Sequence, residues 1–101
     1  MEITCVMALI RFEDGWITVS RNPATPQEAT VRFRAADVTA SRYRSGGSWR
    51  NGHLQFSVPK ALVTREGRSE RVLRDEHRVD FGKDRNADAA QLLAAVEQAR
   101  G

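Results

Sequence analysis

The chain has 101 residues, of which 41% are hydrophobic and 29% charged, with a net charge of +3. This length fits one domain, residues 1–101, and can bury one core without a metal or disulfide staple. The single cysteine, Cys5, excludes an internal disulfide and suits a reducing compartment. The apolar run 3–10 is too short to cross a bilayer and lacks the flanks of a signal peptide, so we expect a cytoplasmic protein.

The first half of the chain is typical of short strands separated by turns. Residues 3–12 form one apolar run rich in β-branched side chains, which predicts a strand. The Asp14-Gly15 pair predicts a hairpin turn, and residues 16–20 predict the strand that follows it. Asn22-Pro23 and Pro26 predict a loop, because proline cannot donate a ladder hydrogen bond.

Alternation marks the next strands. Val31 and Phe33 face one way within residues 30–34, as in a half-buried strand. Residues 38–44 predict another strand, but their inward face is ambiguous, and a bend or bulge would be needed to resolve it.

The second half begins with the strongest hairpin signal of the chain. Asn51-Gly52 tolerates the positive φ angles of a tight turn, and it follows a turn at residues 45–48. Residues 53–58 alternate again, with Leu54, Phe56 and Val58 inward, and Pro59 ends that strand. We expect a loop over 60–70 and short strands at 71–74 and 77–82, the last with Val79 and Phe81 inward.

The final segment changes to a helical period. Apolar side chains recur at the spacing of one helix face, which predicts a helix over about residues 87–100. Asp88 and Gln91 resemble a capping box at its start. The residues of the predicted apolar face are Ala89, Leu92, Leu93, Val96 and Ala99.

Together these elements predict an α+β, mainly β domain. About seven antiparallel strands would form a curved sheet or a partly open barrel, and the C-terminal helix would cap its open end.

A family resemblance supports this architecture. Residues 47–59, which read GSWRNGHLQFSVP, resemble the hairpin motif GSxxNGx[IL]QFxVP of a bacterial domain-of-unknown-function family with a pleckstrin-homology-like fold. Segments 12–15, 37–40 and 75–81 match further pieces of it in order. Members often carry two such domains and a short C-terminal oligomerisation motif, whereas this sequence holds one copy. The resemblance implies a fold and self-association, but it implies no ligand.

A basic segment is the main clue to a binding surface. Residues 32–50 contain five arginines and one aspartate, a net charge of +4. Exposed arginines are often only solvated, but a local excess of charge favours an anionic partner surface. Trp49, at the predicted hairpin tip, either anchors a partner or folds back over the sheet edge. The candidate binding residues are Arg32, Arg34, Arg42, Arg44, Trp49 and Arg50.

Motifs for catalysis are missing from the sequence. Cys5, His53 and His77 fall in three separate elements without the spacing of metal-ligand pairs, so we expect no metal site and no cofactor. Cys5 lies in an apolar run, as a small buried hydrophobe does. The acidic Glu13-Asp14 turn argues against a phosphoinositide site at the first hairpin.

The sequence therefore predicts a non-enzymatic protein-interaction and assembly module. A protein partner or a second copy of the chain is the expected partner, and no small-molecule substrate is indicated. The alternative is recognition of an anionic ligand, a membrane lipid or nucleic acid, through the arginine-rich strands.

Overall fold

The computed structural model describes residues 1–21, 30–66 and 75–100. The predicted loop at Asn22-Pro23 and Pro26 and the predicted strand at 71–74 lie outside these ranges. The strands are β1 (Glu2–Cys5), β2 (Ala8–Glu13), β3 (Trp16–Arg21), β4 (Thr30–Arg34), β5 (Ala40–Arg44), β6 (Gly52–Ser57), β7 (Thr64–Glu66) and β8 (Glu76–Phe81), and the helix is α1 (Asn86–Arg100). Short 3₁₀ turns cover Ala35–Asp37, Lys60–Leu62 and Lys83–Arg85.

The strands are antiparallel, which confirms the mainly β prediction, but they form two sheets and not the single curved sheet that was expected. One sheet has the order β1-β2-β3-β4-β7 and the other has the order β5-β6-β8. The described strands do not close into a barrel. The sheets meet where the turn between β1 and β2 reaches β8, and there the Val6 N–H donates to the Asp80 carbonyl at 2.8 Å.

The first apolar run is two strands, so the prediction of one strand over 3–12 was wrong. The chain reverses at Val6-Met7, and Cys5 pairs with Ala8. Met7 has a φ of 53°, which is uncommon for a residue other than glycine, and sequence patterns carry no signal for such a turn. The Asp14-Gly15 turn is confirmed, because both residues have positive φ between the paired Glu13 and Trp16.

The ambiguous segment 38–44 is resolved by a later strand start. Ala35–Asp37 forms a 3₁₀ turn, and β5 begins only at Ala40, so Val38 is buried before the strand instead of within it. Tyr43 then faces inward and stacks on Phe81, with 6.1 Å between the ring centroids.

The hairpin between β5 and β6 exists, but Asn51-Gly52 is not its tight turn. Neither residue has a positive φ, and Gly52 is the first residue of β6. A Cβ at Gly52 would lie 2.4 Å from the Arg44 carbonyl oxygen and 2.6 Å from Cε2 of Phe81. This glycine is therefore required for close packing, and the reversal uses the longer loop 45–51.

Part of the predicted loop 60–70 is also structured. Lys60–Leu62 forms a 3₁₀ turn, Val63 is buried, and β7 pairs with β4. A strand of three residues is too short for its alternation of apolar and polar residues to be recognised. Its pairing partner also lies far away in sequence, so no local pattern indicates the pairing.

The helix closes the core, as predicted. Ala89, Leu92 and Val96 are buried in a core cluster that includes residues of both sheets, whereas Ala99 is exposed. The helix starts at Asn86, so Asp88 lies in its first turn and is not the residue that caps it. No helix among the described residues is long and apolar enough to cross a membrane. The buried hydrophobic residues are Ile3, Ala8, Ile10, Ile17, Val19, Phe33, Ala35, Val38, Leu54, Phe56, Val58, Val63, Val79, Phe81, Ala89, Leu92 and Val96.

Candidate functional site

The loop between β5 and β6, residues 45–51, holds the most exposed aromatic side chain of the described structure. We call it the Trp49 loop. Trp49 is 98% exposed, so it does not fold back over the sheet edge. The Gly47 N–H donates to the Arg50 carbonyl at 3.0 Å, which closes a turn with Ser48 and Trp49 at its tip. The indole therefore projects from a hydrogen-bonded turn.

Both ends of the Trp49 loop are fixed to the rest of the domain. The Asn86 side chain pairs with the backbone of Gly46: its Oδ1 accepts from the Gly46 N–H at 2.6 Å, and its Nδ2 donates to the Gly46 carbonyl at 3.0 Å. At the other end, Arg44 Nη2 donates to the Asn51 carbonyl at 2.9 Å. A loop held in this way loses little conformational entropy when its tip binds.

The outer face of the three-stranded sheet is basic. Arg42 pairs with Gln55, which pairs with Arg78, and in the next row Arg44 pairs with His53, which pairs with Asp80. Because Leu54 and Phe56 point into the core, these neighbours point outward. We call this surface the basic face; its residues are Arg42, Arg44, His53, Gln55 and Arg78.

Charge on the basic face is only partly balanced. Arg78 forms an ion pair with Asp80, at 2.9 Å between Nε and Oδ1. Arg42 has no hydrogen bond or ion pair to any described residue. Burial, followed by the charges of Arg78 and Arg44, lowers the pKa of His53. The face is therefore electropositive, and burial together with its arginines disfavours the protonated form of His53.

Arg32 and Arg34 lie on the other sheet. Both guanidinium carbons are 4.8 Å from the ring centroid of Trp16, within the range of cation–π contacts. The structure thus splits the predicted arginine surface, because the turn Ala35–Asp37 carries the chain from one sheet to the other. Arg50 lies exposed in the Trp49 loop with Arg44 at its base.

A depression of about 330 Å³ lies beside this arginine–tryptophan cluster. Its charge is mixed, since two arginines face two acids, and Arg11 already pairs with Glu2 at 2.8 Å. The lining residues are Arg11, Glu13, Asp14, Trp16, Thr18 and Arg32.

Comparison with known proteins identifies the family. A family model described as Domain of unknown function (DUF4429) matches residues 8–97. The chain belongs to the DUF4429 family. No curated protein and no solved structure matches this DUF4429 chain. The prediction of a domain of unknown function is thereby confirmed, and the pleckstrin-homology-like fold stays a prediction.

The residues with catalytic or metal-binding chemistry are dispersed in this DUF4429 domain. Cys5, His53 and His77 lie on β1, β6 and β8, and the described ranges contain no group of three or more side chains that could hold a metal ion. Burial raises the pKa of the Cys5 thiol to about 11, which leaves little thiolate at neutral pH. The ring of His77 is buried and stacks on Phe33, with 5.0 Å between centroids.

The sequence did not select Trp16, His53, Gln55 or Arg78 as binding residues in this DUF4429 domain. Arg78 and His53 join the basic face only through the pairing of β6 with β8. The inward Val79 and Phe81 already implied that Arg78 points outward, but no sequence signal gave its neighbours. Trp16 was assigned only to a strand, because its arginine partners come from another strand.

Proposed function

We propose that this DUF4429 domain is a non-enzymatic protein-interaction module in which Trp49 anchors a protein partner. One observation carries the proposal: Trp49 is 98% exposed at the tip of a loop that hydrogen bonds hold at both ends. Tryptophan is enriched at interface hot spots, where a few large side chains supply most of the binding free energy.

The energetics favour a binding role for this side chain. Burying a large apolar side chain is worth roughly 1.5–3 kcal/mol, and Trp49 gains almost none of it in the isolated domain. The fixed loop reduces the entropy lost on association. A partner would need an apolar cleft deep enough for an indole and acidic groups near Arg44 and Arg50.

Two further features support this function. The raised pKa of Cys5 and the dispersed histidines favour a non-enzymatic role. The arrangement of two antiparallel sheets covered by a C-terminal helix supports a pleckstrin-homology-like fold, which serves as a scaffold for binding. The low cysteine content favours action in the cytoplasm.

The test compares Trp49→Ala with Leu62→Ala, which removes another exposed apolar side chain outside the loop. Sedimentation of the purified domain tests a second copy as the partner. A photo-crosslinking amino acid at position 49 identifies any other partner, which is then purified and titrated. We expect Trp49→Ala to weaken association by at least about 30-fold, the loss of a hot spot, and Leu62→Ala to leave it unchanged. Unchanged mass and unchanged partner affinity in Trp49→Ala would overturn the proposal.

A second candidate function is recognition of a phosphate-bearing ligand by the cluster of Arg32, Arg34 and Trp16. The two arginines carry no ion pair to a described carboxylate. Vesicles with anionic lipid and single-stranded oligonucleotides should then bind at low salt and dissociate as salt rises. The pair Arg32→Gln and Arg34→Gln should remove that binding. Absence of binding at low salt would refute this candidate.

A further inference from the structure

We infer that the basic face binds an extended acidic peptide segment of the protein partner that Trp49 anchors. The inference rests on the proposed function and names the chemistry of the partner. It starts from the register of β5, β6 and β8, which places Arg42 and Arg44 on one side of β6 and Arg78 on the other.

The spacing of the cations fits an extended chain. Arg42 and Arg44 are two residues apart on one strand, so their Cα atoms are separated by about 6.6 Å, the distance between same-side residues of any extended peptide. Arg78 lies two strands away, about 9.6 Å from Arg42, across Gln55. Acidic side chains at alternate positions of a peptide above β6 would therefore reach these guanidinium groups.

The charge balance favours a peptide over a nucleic acid. Three arginines, Arg42, Arg44 and Arg78, supply the positive charge of the face. Asp80 and Glu76 point outward beside them on β8, so the excess of positive charge is small. A small excess of positive charge is enough to attract a few carboxylates. It is too small for tight binding of a phosphate polyanion, because that binding relies on many cationic contacts. Among the outward residues paired across β5, β6 and β8, the only ring on which a base could stack is the imidazole of His53, and no phenylalanine, tyrosine or tryptophan lies among them.

The basic face is continuous with the Trp49 loop. Arg44 belongs to the face, and its Nη2 holds the Asn51 carbonyl at the end of that loop. One partner can therefore enclose the Trp49 indole in an apolar cleft and lay its adjoining acidic segment along β6. Linking two weak contacts in one chain raises their joint affinity.

His53 makes this binding depend on pH. The imidazole lies between Arg44 and Asp80 in the sheet, with Arg42 and Arg78 in the adjoining row. Burial and the charges of Arg78, Arg44 and Arg42 lower its pKa, and Asp80 opposes them. Carboxylates bound on the arginines would offset that repulsion and raise the pKa of His53. Binding then takes up a proton, so affinity increases as the pH falls through the titration of His53.

The experiment uses a fluorescent synthetic peptide of alternating glutamate and serine, with glutamine replacing glutamate in the control peptide. Anisotropy titrations of the whole domain should show tighter binding of the glutamate peptide. The pair Arg42→Gln and Arg78→Gln should weaken it by about five- to tenfold. Lys60→Gln with Lys83→Gln removes the same charge from two exposed turn positions outside the basic face and should not weaken it. The single variant Arg42→Gln, which breaks no ion pair, should show part of the loss.

Two comparisons decide the chemistry. Binding should be about two- to fivefold tighter near pH 5.5 than near pH 7.5, and His53→Gln should remove that difference. Equal losses in the arginine pair and in the lysine pair, or stronger binding of oligothymidylate than of the glutamate peptide, would overturn the inference. The Trp49→Ala test is independent of this titration. If Trp49→Ala leaves association unchanged while peptide binding still depends on Arg42 and Arg78, the proposed anchor is overturned and the acidic-peptide surface is retained.

Discussion

Replacing Gly52 with alanine should destabilise the domain strongly, although a strand-forming position usually tolerates the change. The added Cβ would lie 2.4 Å from the Arg44 carbonyl oxygen, 2.5 Å from the Gly46 nitrogen and 2.6 Å from Cε2 of Phe81. Two of these neighbours are backbone atoms, so a rotamer change cannot relieve the clash. Overpacking a close-packed site costs typically 1–3 kcal/mol, and we expect about 3 kcal/mol here.

The matched control is Gly47→Ala in the same loop. A Cβ at Gly47 meets nothing within 4 Å, so the free energy of unfolding should change by less than about 0.5 kcal/mol. Both substitutions reduce the entropy of the unfolded chain equally, and their difference therefore isolates the steric cost in the folded state. Urea denaturation followed by tryptophan fluorescence and circular dichroism measures both.

The size of the effect makes the test decisive. A loss of about 3 kcal/mol corresponds to a decrease in Tm of roughly 10–20 °C for a domain of this length. If Gly52→Ala and Gly47→Ala unfold within about 0.5 kcal/mol of each other, the close approach of β5, β6 and β8 at Gly52 is refuted. Asn51→Ala adds a check: it should cost little here, whereas a tight turn with positive φ at Asn51 would make it cost about 1–2 kcal/mol.

Three further predictions concern single contacts. Asn86→Ala removes both hydrogen bonds to Gly46 and should lower the unfolding free energy by about 1–3 kcal/mol in urea titrations; an unchanged midpoint would contradict the anchoring of the loop. The Cys5 thiol, with its pKa raised to about 11, should react with a thiol reagent near pH 8 about 100-fold more slowly than in the urea-unfolded chain, and equal rates would disprove its burial. Arg34→Gln should lower the unfolding free energy by about 0.5–1 kcal/mol through its contact with Trp16, and the same change in a Trp16→Leu background should cost nothing; an equal cost in both backgrounds would contradict the contact.

Local patterns in the sequence were sufficient for most elements of the fold. The alternation around Phe33 and around Phe56 placed their strands and inward faces correctly, because one buried face imposes a period of two. The helix and the Asp14-Gly15 turn were equally clear, since both depend on neighbouring residues alone.

Errors arose where distant residues decide the outcome. Gly52 follows an asparagine, as in a tight turn. Position 52 requires glycine for another reason, because Arg44 and Phe81 on neighbouring strands leave no room for a Cβ. β7 forms because β4 supplies its hydrogen bonds, and no local pattern records that partner.

The candidate surface shows the same division. The sequence by itself determined that five arginines and one tryptophan are concentrated in residues 32–50, and it left the exposure of that tryptophan open. Only the tertiary structure decided that Arg32 and Arg34 flank Trp16 on one sheet, while Arg42 and Arg44 join His53 and Arg78 on the other. The physical reason is that charge is a property of each residue, whereas a surface is produced by strand pairing between residues far apart in the chain.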